Sequence, residues 1–581
     1  MSDATQVRDV LDDSTARASS MKTAGSAAPV DAMRFPQSFA QQRLWFLNQL
    51  DPASAAYNVV EAFRLEGALD DAALERSVNA LVARHESLRT TFSSDEGTPI
   101  QIVAPSLLVH MARRDLAVGS AAAHDEGIAL AVRAEASAPF DLEHGPLLRC
   151  TLLRMAAQEH VLVIAMHHIV SEGGWSMAIF LRELEELYDA EVHGRPARLP
   201  VLEIQYADYA LWQREQAESE TFDAHLAYWR DRLANAPRRL ELPTDCARPD
   251  SQSSRGARRS IMLAATTMQR VHALARAERA TSSMVLLSAW LALLARYAEQ
   301  DDLVVGMPVA GRSRVETENV IGLFVNTLAI RADLSGDPSF ATLLERVRIT
   351  CMEAFDHQDV PFERIVAALR PDRALSHGPL FQVMFAPQNT PRQPLHLLGL
   401  AVTPIDVDTG SAMFDLTLFV LGHGESTRLV AEFATDLFEG ESIERMLRQF
   451  QTLLDRAVTN PHQALSDIDA LDDVERHTVL AAWNDAPRVE TSGTIHGHFA
   501  EQAERAPERR ALVAGEASMT YGELHHRASA LAHRLQATGV RVGDRVAILM
   551  DRSFDLVTAI VAVCMRAAST SRSIARTRAS G

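Results

Sequence analysis

Residues His160–Tyr188 most constrain what this chain can fold into. A short, branched apolar run, His160–Met166 (HVLVIAM), is bounded by polar residues and reads as a buried strand. Two histidines, His167 and His168, follow at once, then a small-residue loop, Ser171-Glu172-Gly173-Gly174. From Trp175 to Tyr188 the period becomes helical, with Met177, Phe180, Leu181, Leu184 and Tyr188 on one face. Strand, loop and helix in that order describe an α/β layer. Asp70–Arg84 repeats the helical signal, with Leu74, Val78, Leu81 and Val82 on one stripe.

After His193 comes Pro237–Ser260, dense in Pro, Arg and Ser, which reads as a long connection. Helix and strand patterns then resume. The apolar run Met284–Ala295 is too short to span a bilayer and reads as a buried helix with Ser282 or Ser283 as N-cap. Strands are expected near Leu303–Met307 and Phe324–Ile330. Two α/β halves of similar size joined by an irregular segment predict a two-lobed unit. A composition shift near Asn460–Gly493 precedes a fresh pattern.

Composition narrows the function classes. The 581 residues carry 57 Lys plus Arg against 76 Asp plus Glu, a formal charge of −19. That balance argues against a nucleic-acid scaffold. The four cysteines (Cys150, Cys246, Cys351, Cys564) lie far apart with no CxxC, so neither a disulfide framework nor a thiolate zinc site is expected. The first 22 residues hold no apolar stretch suited to secretion, and a soluble, cytoplasmic chain is the expectation.

Adjacent strand residues point to opposite faces, so His167 and His168 do not easily share one task. A strand end, a tight loop and a helix start make a rigid mount for a catalytic base. A lone pair of this kind is more often structural, and no further ligands fall at a spacing suited to a metal.

Seven ordered strings extend the picture: SFAQQRLWFL (Ser38–Leu47), RHESLRTTF (Arg84–Phe92), MHHIVSEGGWS (Met166–Ser176), YADYALWQ (Tyr206–Gln213), IGLFVNTLAIR (Ile321–Arg331), HQDVPFE (His357–Glu363) and PLFQVMF (Pro379–Phe385). Together they resemble the condensation domain of non-ribosomal peptide synthetases over about residues 31–470. The first two are most similar in style to the subtype joining two L-residues.

The resemblance implies an α/β fold of two chloramphenicol acetyltransferase-like lobes in a V around a central tunnel. It also implies condensation of a donor acyl or peptidyl thioester with the amine of an acceptor aminoacyl thioester. Both substrates would ride on phosphopantetheine arms of partner carrier proteins, with no bound cofactor, metal, nucleic acid or membrane. The family's HHxxxDG falls on His167, His168, Glu172 and Gly173, and His168 matches the catalytic histidine. The family's acid holds its loop through an arginine, for which Arg43 and Arg331 are both candidates here. Glu172 stands where the pattern has Asp, and Gly174 is an added residue before Trp175-Ser176. Asn326, Trp175 and Ser176 are candidate tunnel residues; Asn326 is equally an amide satisfying backbone groups, and Trp175, like Trp45, is better suited to packing. His357 is expected at a helix end or loop. Tyr206 and Asp208 are expected to hold the lobes together.

From about residue 494, IHGHFAEQAERAPERRALV and SMTYGELHHRASALAHRL resemble the opening of an adenylation domain. Its phosphate loop and catalytic lysine have no counterpart here, so adenylation activity is not expected. The domain plan is a flexible leader (1–30), a first lobe (31–236), a second lobe with its connection (237–470), a linker (471–493) and a truncated adenylation N-terminus (494–566). Residues 567–581 are expected to be an out-of-frame tail. A codon choice exists for Ala567–Arg576 that, read two bases later, gives Ser-Val-Tyr-Val-Pro-Leu-Asp, of which the resemblance expects Tyr-Val-Pro-Leu-Asp there. Alternatives to condensation are a non-catalytic fragment that docks carriers, or a related ester-forming, epimerising or starter N-acylating variant.

Overall fold

The computed structural model describes residues 31–116, 121–369, 376–388, 395–422, 426–485, 493–566 and 569–572. The expected leader over 1–30 and most of the tail over 567–581 lie outside the described residues. The chain forms two compact units, one ending at Arg476 and the other starting at His477.

The histidine strand, Glu159–His167, lies at the centre of a five-stranded sheet. Asn58–Gly67 pairs with it antiparallel on one side and Leu148–Ala156 on the other. Its apolar run is continuous because both faces are covered. Leu162, Ile164 and Met166 enter a core built with helices Asp71–Arg84 and Trp175–His193. Val161 and Val163 enter a second core with Ile128 and Val132. Every stripe residue named from the helical periodicity is buried. At about 1.5–3 kcal/mol for each large apolar side chain, this burial fixes the strand's position.

The second lobe is built on a six-stranded sheet. Its order is Asn326–Asp333, Asp302–Val309, Val383–Pro387, Leu416–Leu421, Arg428–Ala434 and Gly256–Met262. The apolar run lies in helix Ser282–Ala298, with Met284 through Leu294 buried. Its cap is Thr281, one residue before the expected serines, whose side chain accepts the Met284 N–H at 3.2 Å. No single helix among the described residues is long and apolar enough to cross a membrane.

The lobes exchange segments across the boundary expected at 236/237. Helix Glu220–Arg232 sends Phe222 and Trp229 into the core of the second lobe. In return, strand Leu400–Ile405 adds to the edge of the first sheet in antiparallel register with Asn58–Gly67. Pro404 is tolerated there because an edge strand needs donors on one side only. The connection read from its Arg and Ser content ends earlier than expected, since Gly256–Met262 is an edge strand of the second sheet.

The second unit holds helices Ile495–Arg505, Tyr521–Ala537 and Phe554–Met565. A hairpin, Arg510–Ala514 with Ala517–Thr520, precedes a capping box in which Thr520 and Glu523 serve each other's backbone. Ser569–Arg572, in the expected tail, pairs parallel with Arg545–Ile548.

Candidate active site

The two histidines have separate environments. His167 ends the strand, is 3% exposed, and packs its ring near Tyr57 (6.4 Å) and edge-on to Phe140 (6.1 Å). Its Nδ1 accepts the Ile169 N–H at 3.2 Å, which places the ring proton on Nε2. Burial first, then the neighbouring His168 and Arg149, holds its pKa down at about 3. His167 is therefore a neutral, buried ring packed near Tyr57 and Phe140, an environment suited to a structural role.

His168 follows in a turn. Its N–H donates to the Tyr57 carbonyl at 2.8 Å, and its carbonyl accepts the Ser171 N–H at 3.3 Å. The residue is partly exposed, while its ring Nδ1 is buried without a hydrogen-bond partner. Burial, and next the Arg43 cation, lower its pKa, so the imidazole is neutral at pH 7. Arg43→Gln is expected to raise the His168 midpoint in an NMR titration; an unchanged or lower midpoint would contradict this assignment.

The loop acid is held by a residue the sequence reading missed. Arg312 Nη2 and Nε lie 2.7 and 2.8 Å from Glu172 Oε1, with side chains 1% and 7% exposed. Burial raises the Glu172 carboxyl, yet a guanidinium does not deprotonate, and at this distance it keeps the partner ionised. Arg312 also donates to the Val320 carbonyl (2.9 Å), the Thr317 carbonyl and Ser176 Oγ (3.0 Å). Its planar face lies over Phe324, 4.1 Å from the ring centre.

Neither expected arginine holds Glu172. Arg43 pairs with Glu363 across the lobes at 3.3 Å. Arg331, on a second-lobe strand, clasps Asp302 at 2.7 and 2.9 Å and donates to the Arg232 and Ala234 carbonyls. The sequence signal for Arg312 was the glycine before it. Gly311 has φ +64°, and a Cβ there would lie 1.9 Å from the Phe324 carbonyl oxygen, so only glycine lets the chain turn Arg312 inward.

The added Gly174 is taken up at the start of helix Trp175–His193, where it occupies the N-cap position without a side-chain cap. The polar atoms of the three candidate tunnel residues are engaged within the protein. Ser176 Oγ donates to the Gly322 carbonyl (2.9 Å) and accepts the Gly322 N–H (3.2 Å). Trp175 Nε1 donates to the Glu318 carbonyl at 2.9 Å. Asn326 pins the HQDVPFE segment: Nδ2 donates to the Gln358 and Val360 carbonyls (2.8 and 2.7 Å), and Oδ1 accepts the Phe362 N–H (3.0 Å). His357 sits at the C-cap of helix Phe340–Asp356, its Nδ1 2.8 Å from the Glu353 carbonyl. Tyr206 joins the lobes through its hydroxyl, 2.8 Å from both Ser38 Oγ and the Leu323 carbonyl, while Asp208 only caps its own helix at Gln205.

The arrangement offers, at a partly exposed residue, a neutral imidazole with an unpartnered Nδ1, on a loop held by a buried ion pair. Among the described residues, no group of three or more His, Cys, Asp or Glu is placed to hold a metal ion. Such an imidazole is suited to proton transfer or hydrogen bonding at a reacting centre.

Comparison with known proteins gives the class. Residues 32–480 match the condensation domain model, and residues 499–571 match the AMP-binding enzyme model. The chain belongs to the condensation domain family of non-ribosomal peptide synthetases, followed by the start of an AMP-binding region. It is 44% identical over 528 residues to a linear gramicidin synthase polypeptide of Brevibacillus parabrevis, covering 90% of this chain and 7% of that one. With phosphinothricin tripeptide synthetase PhsB of Streptomyces viridochromogenes the identity is 39%, covering 92% and 46%. The chain therefore spans less than half of these relatives' length.

Among solved structures, the X-domain in complex with OxyB from teicoplanin biosynthesis superposes with a TM-score of 0.69 at 28% identity, covering 77% of this chain and 98% of that one. The four-domain synthetase AB3403 superposes at 0.81 with 23% identity, covering 95% and 43%, a likeness of fold. The mixed α/β architecture is thus the chloramphenicol acetyltransferase-like fold of condensation domains.

Proposed function

We propose that this chain condenses a donor acyl or peptidyl thioester with the amine of an acceptor aminoacyl thioester, both carried on phosphopantetheine arms of partner carrier proteins. The observation that carries the reading is His168, a partly exposed residue whose neutral imidazole has a free Nδ1 and whose loop is held by the Glu172–Arg312 pair. The amine attacks the thioester carbonyl, a C–N bond forms, the C–S bond breaks, and a carrier thiol is released. The acceptor amine has a reference pKa of about 8 and a thiol about 8.5, so no strong base is needed. A histidine of lowered pKa fits that demand. It takes or orients the amine proton as the tetrahedral intermediate forms, and its protonated form readily returns a proton to the leaving thiolate. The carriers would reach it from opposite ends of a tunnel between the lobes.

The test supplies donor-loaded and acceptor-loaded carriers and seeks the condensed product by mass spectrometry. Product that requires both loaded carriers is expected. No product from any matched pair would favour a non-catalytic carrier-docking fragment instead.

A further inference from the structure

The string RHESLRTTF has no part in the chemistry proposed above, yet its His85 is fully buried against Glu183 of helix Trp175–His193. His85 and its partner Glu183 are both 0% exposed, with Nε2 and Oε2 2.8 Å apart. Arg84 Nε donates to the same Oε2 at 2.9 Å, while Oε1 is buried without a partner. On its other side, His85 Nδ1 accepts the Ile321 N–H at 3.4 Å, and Ser87 Oγ donates to the Ile321 carbonyl at 2.7 Å. One ring is thus a neutral two-sided connector, its Nε2–H to the carboxylate and its Nδ1 lone pair to a backbone amide.

Ile321 belongs to a second-lobe loop, yet its side chain is buried in a first-lobe core. The next residue, Gly322, touches the His168 loop directly. Its carbonyl accepts the Glu172 N–H at 3.3 Å and Ser176 Oγ at 2.9 Å. A Cβ at Gly322 would lie 2.1 Å from the Tyr206 ring, so the backbone has no slack there. Movement at Ile321 passes to Glu172, and Glu172 lies four residues from His168 on the same loop.

Burying a carboxylate beside a neutral ring is a poor way to gain stability, since a buried charge costs free energy unless it is paired and hydrogen-bonded. Fixing geometry is what such a pair does well. Resting on the reading that His168 serves the condensation, we infer that His85, held by Glu183, is a positioning residue that fixes Ile321–Gly322 beneath the His168 loop.

Two conservative variants separate positioning from stability. The amide of asparagine falls near the Nδ1 position and can accept the Ile321 N–H, but it does not reach Glu183. The amide of glutamine falls near Nε2 and can serve Glu183, but it leaves Ile321 free. His85→Asn is therefore expected to lower the Tm while keeping the 318–324 loop protected and kcat near wild type. His85→Gln is expected to hold its Tm, with amides of Ile321–Phe324 exchanging about fivefold faster, the loss of one hydrogen bond's net worth. Its kcat should fall about tenfold with KM little changed, as a small misplacement of a reacting group predicts. Ser87→Ala, which frees the Ile321 carbonyl, should repeat the faster exchange and keeps the test standing should the asparagine variant not fold.

Hydrogen exchange needs no substrate. Wild-type exchange across 318–324 in both His85→Gln and Ser87→Ala would overturn the inference. So would turnover that follows Tm, with the kcat of His85→Asn below that of His85→Gln. A wild-type chain that gives no condensed product would count against the proposed function instead, and the exchange data would still decide whether His85 holds the loop.

Discussion

Arg312→Ala is expected to cost about 3–5 kcal/mol, because it leaves the Glu172 carboxylate buried with no counter-charge. The change also frees the Val320 carbonyl and removes one partner of Ser176 Oγ. Lysine should not rescue it. A point charge on a flexible stem cannot serve a carboxylate, a hydroxyl and two carbonyls while lying flat over Phe324. Replacing both members, as in Arg312→Met with Glu172→Met, should recover much of the loss, since the penalty comes from the unpaired charge. Urea unfolding of the first unit in the three variants checks this. A single variant within about 1 kcal/mol of wild type would contradict the buried pair's role, given that typical surface changes stay within about 0.5 kcal/mol.

His167 is expected to make the fold acid-sensitive over a defined window. In the unfolded chain it takes up a proton near its ordinary value of 6.5, whereas in the folded chain burial holds it neutral down to about 3. Between those values the unfolded state binds more protons, so stability rises with pH and is lost as pH falls. One such group contributes a slope of about 1.4 kcal/mol per pH unit, fully relieved above pH 6.5. His85, His160 and His168 are also lowered by burial and act in the same sense. The informative quantity is therefore a difference. His167→Asn keeps an acceptor for the Ile169 N–H and removes the titration. Its stability measured from about pH 6.5 toward about 4 should fall less steeply than wild type by about that slope. Identical slopes would show that His167 is not the buried neutral ring described.

Much of this fold was legible wherever periodicity reports burial. The stripes over Asp70–Arg84 and Trp175–Tyr188 and the run His160–Met166 became two helices and a central strand, because one lobe's core decides all three. Segments whose place is set by the other lobe were harder to see. Gly256–Met262 carries Arg and Ser because it is a half-exposed edge strand, and the same residues read as a connection. Leu400–Ile405 contains a proline and looks unlike a strand, yet an edge in the opposite lobe accepts it.

The site divides in the same way. The position of His168 after a buried strand was visible in local sequence. The counter-charge to Glu172 was not, because it lies 140 residues away, and several arginines fit a charge argument equally. Geometry selects Arg312, through the glycine that turns it inward. The sequence leaves Asn326 open between two roles. A polar residue in a functional-looking string suggested substrate contact, whereas its amide is consumed by three backbone groups of the HQDVPFE segment.

The central claim is that His168 takes part in amide formation between carrier-bound substrates. The most direct measurement compares wild type with His168→Ala for the rate of condensed product from one matched donor and acceptor carrier pair, with both proteins shown to be folded. A loss of about 10²–10⁴ in rate is predicted for a group that moves or orients the reacting proton. Equal rates in the two proteins would contradict the account.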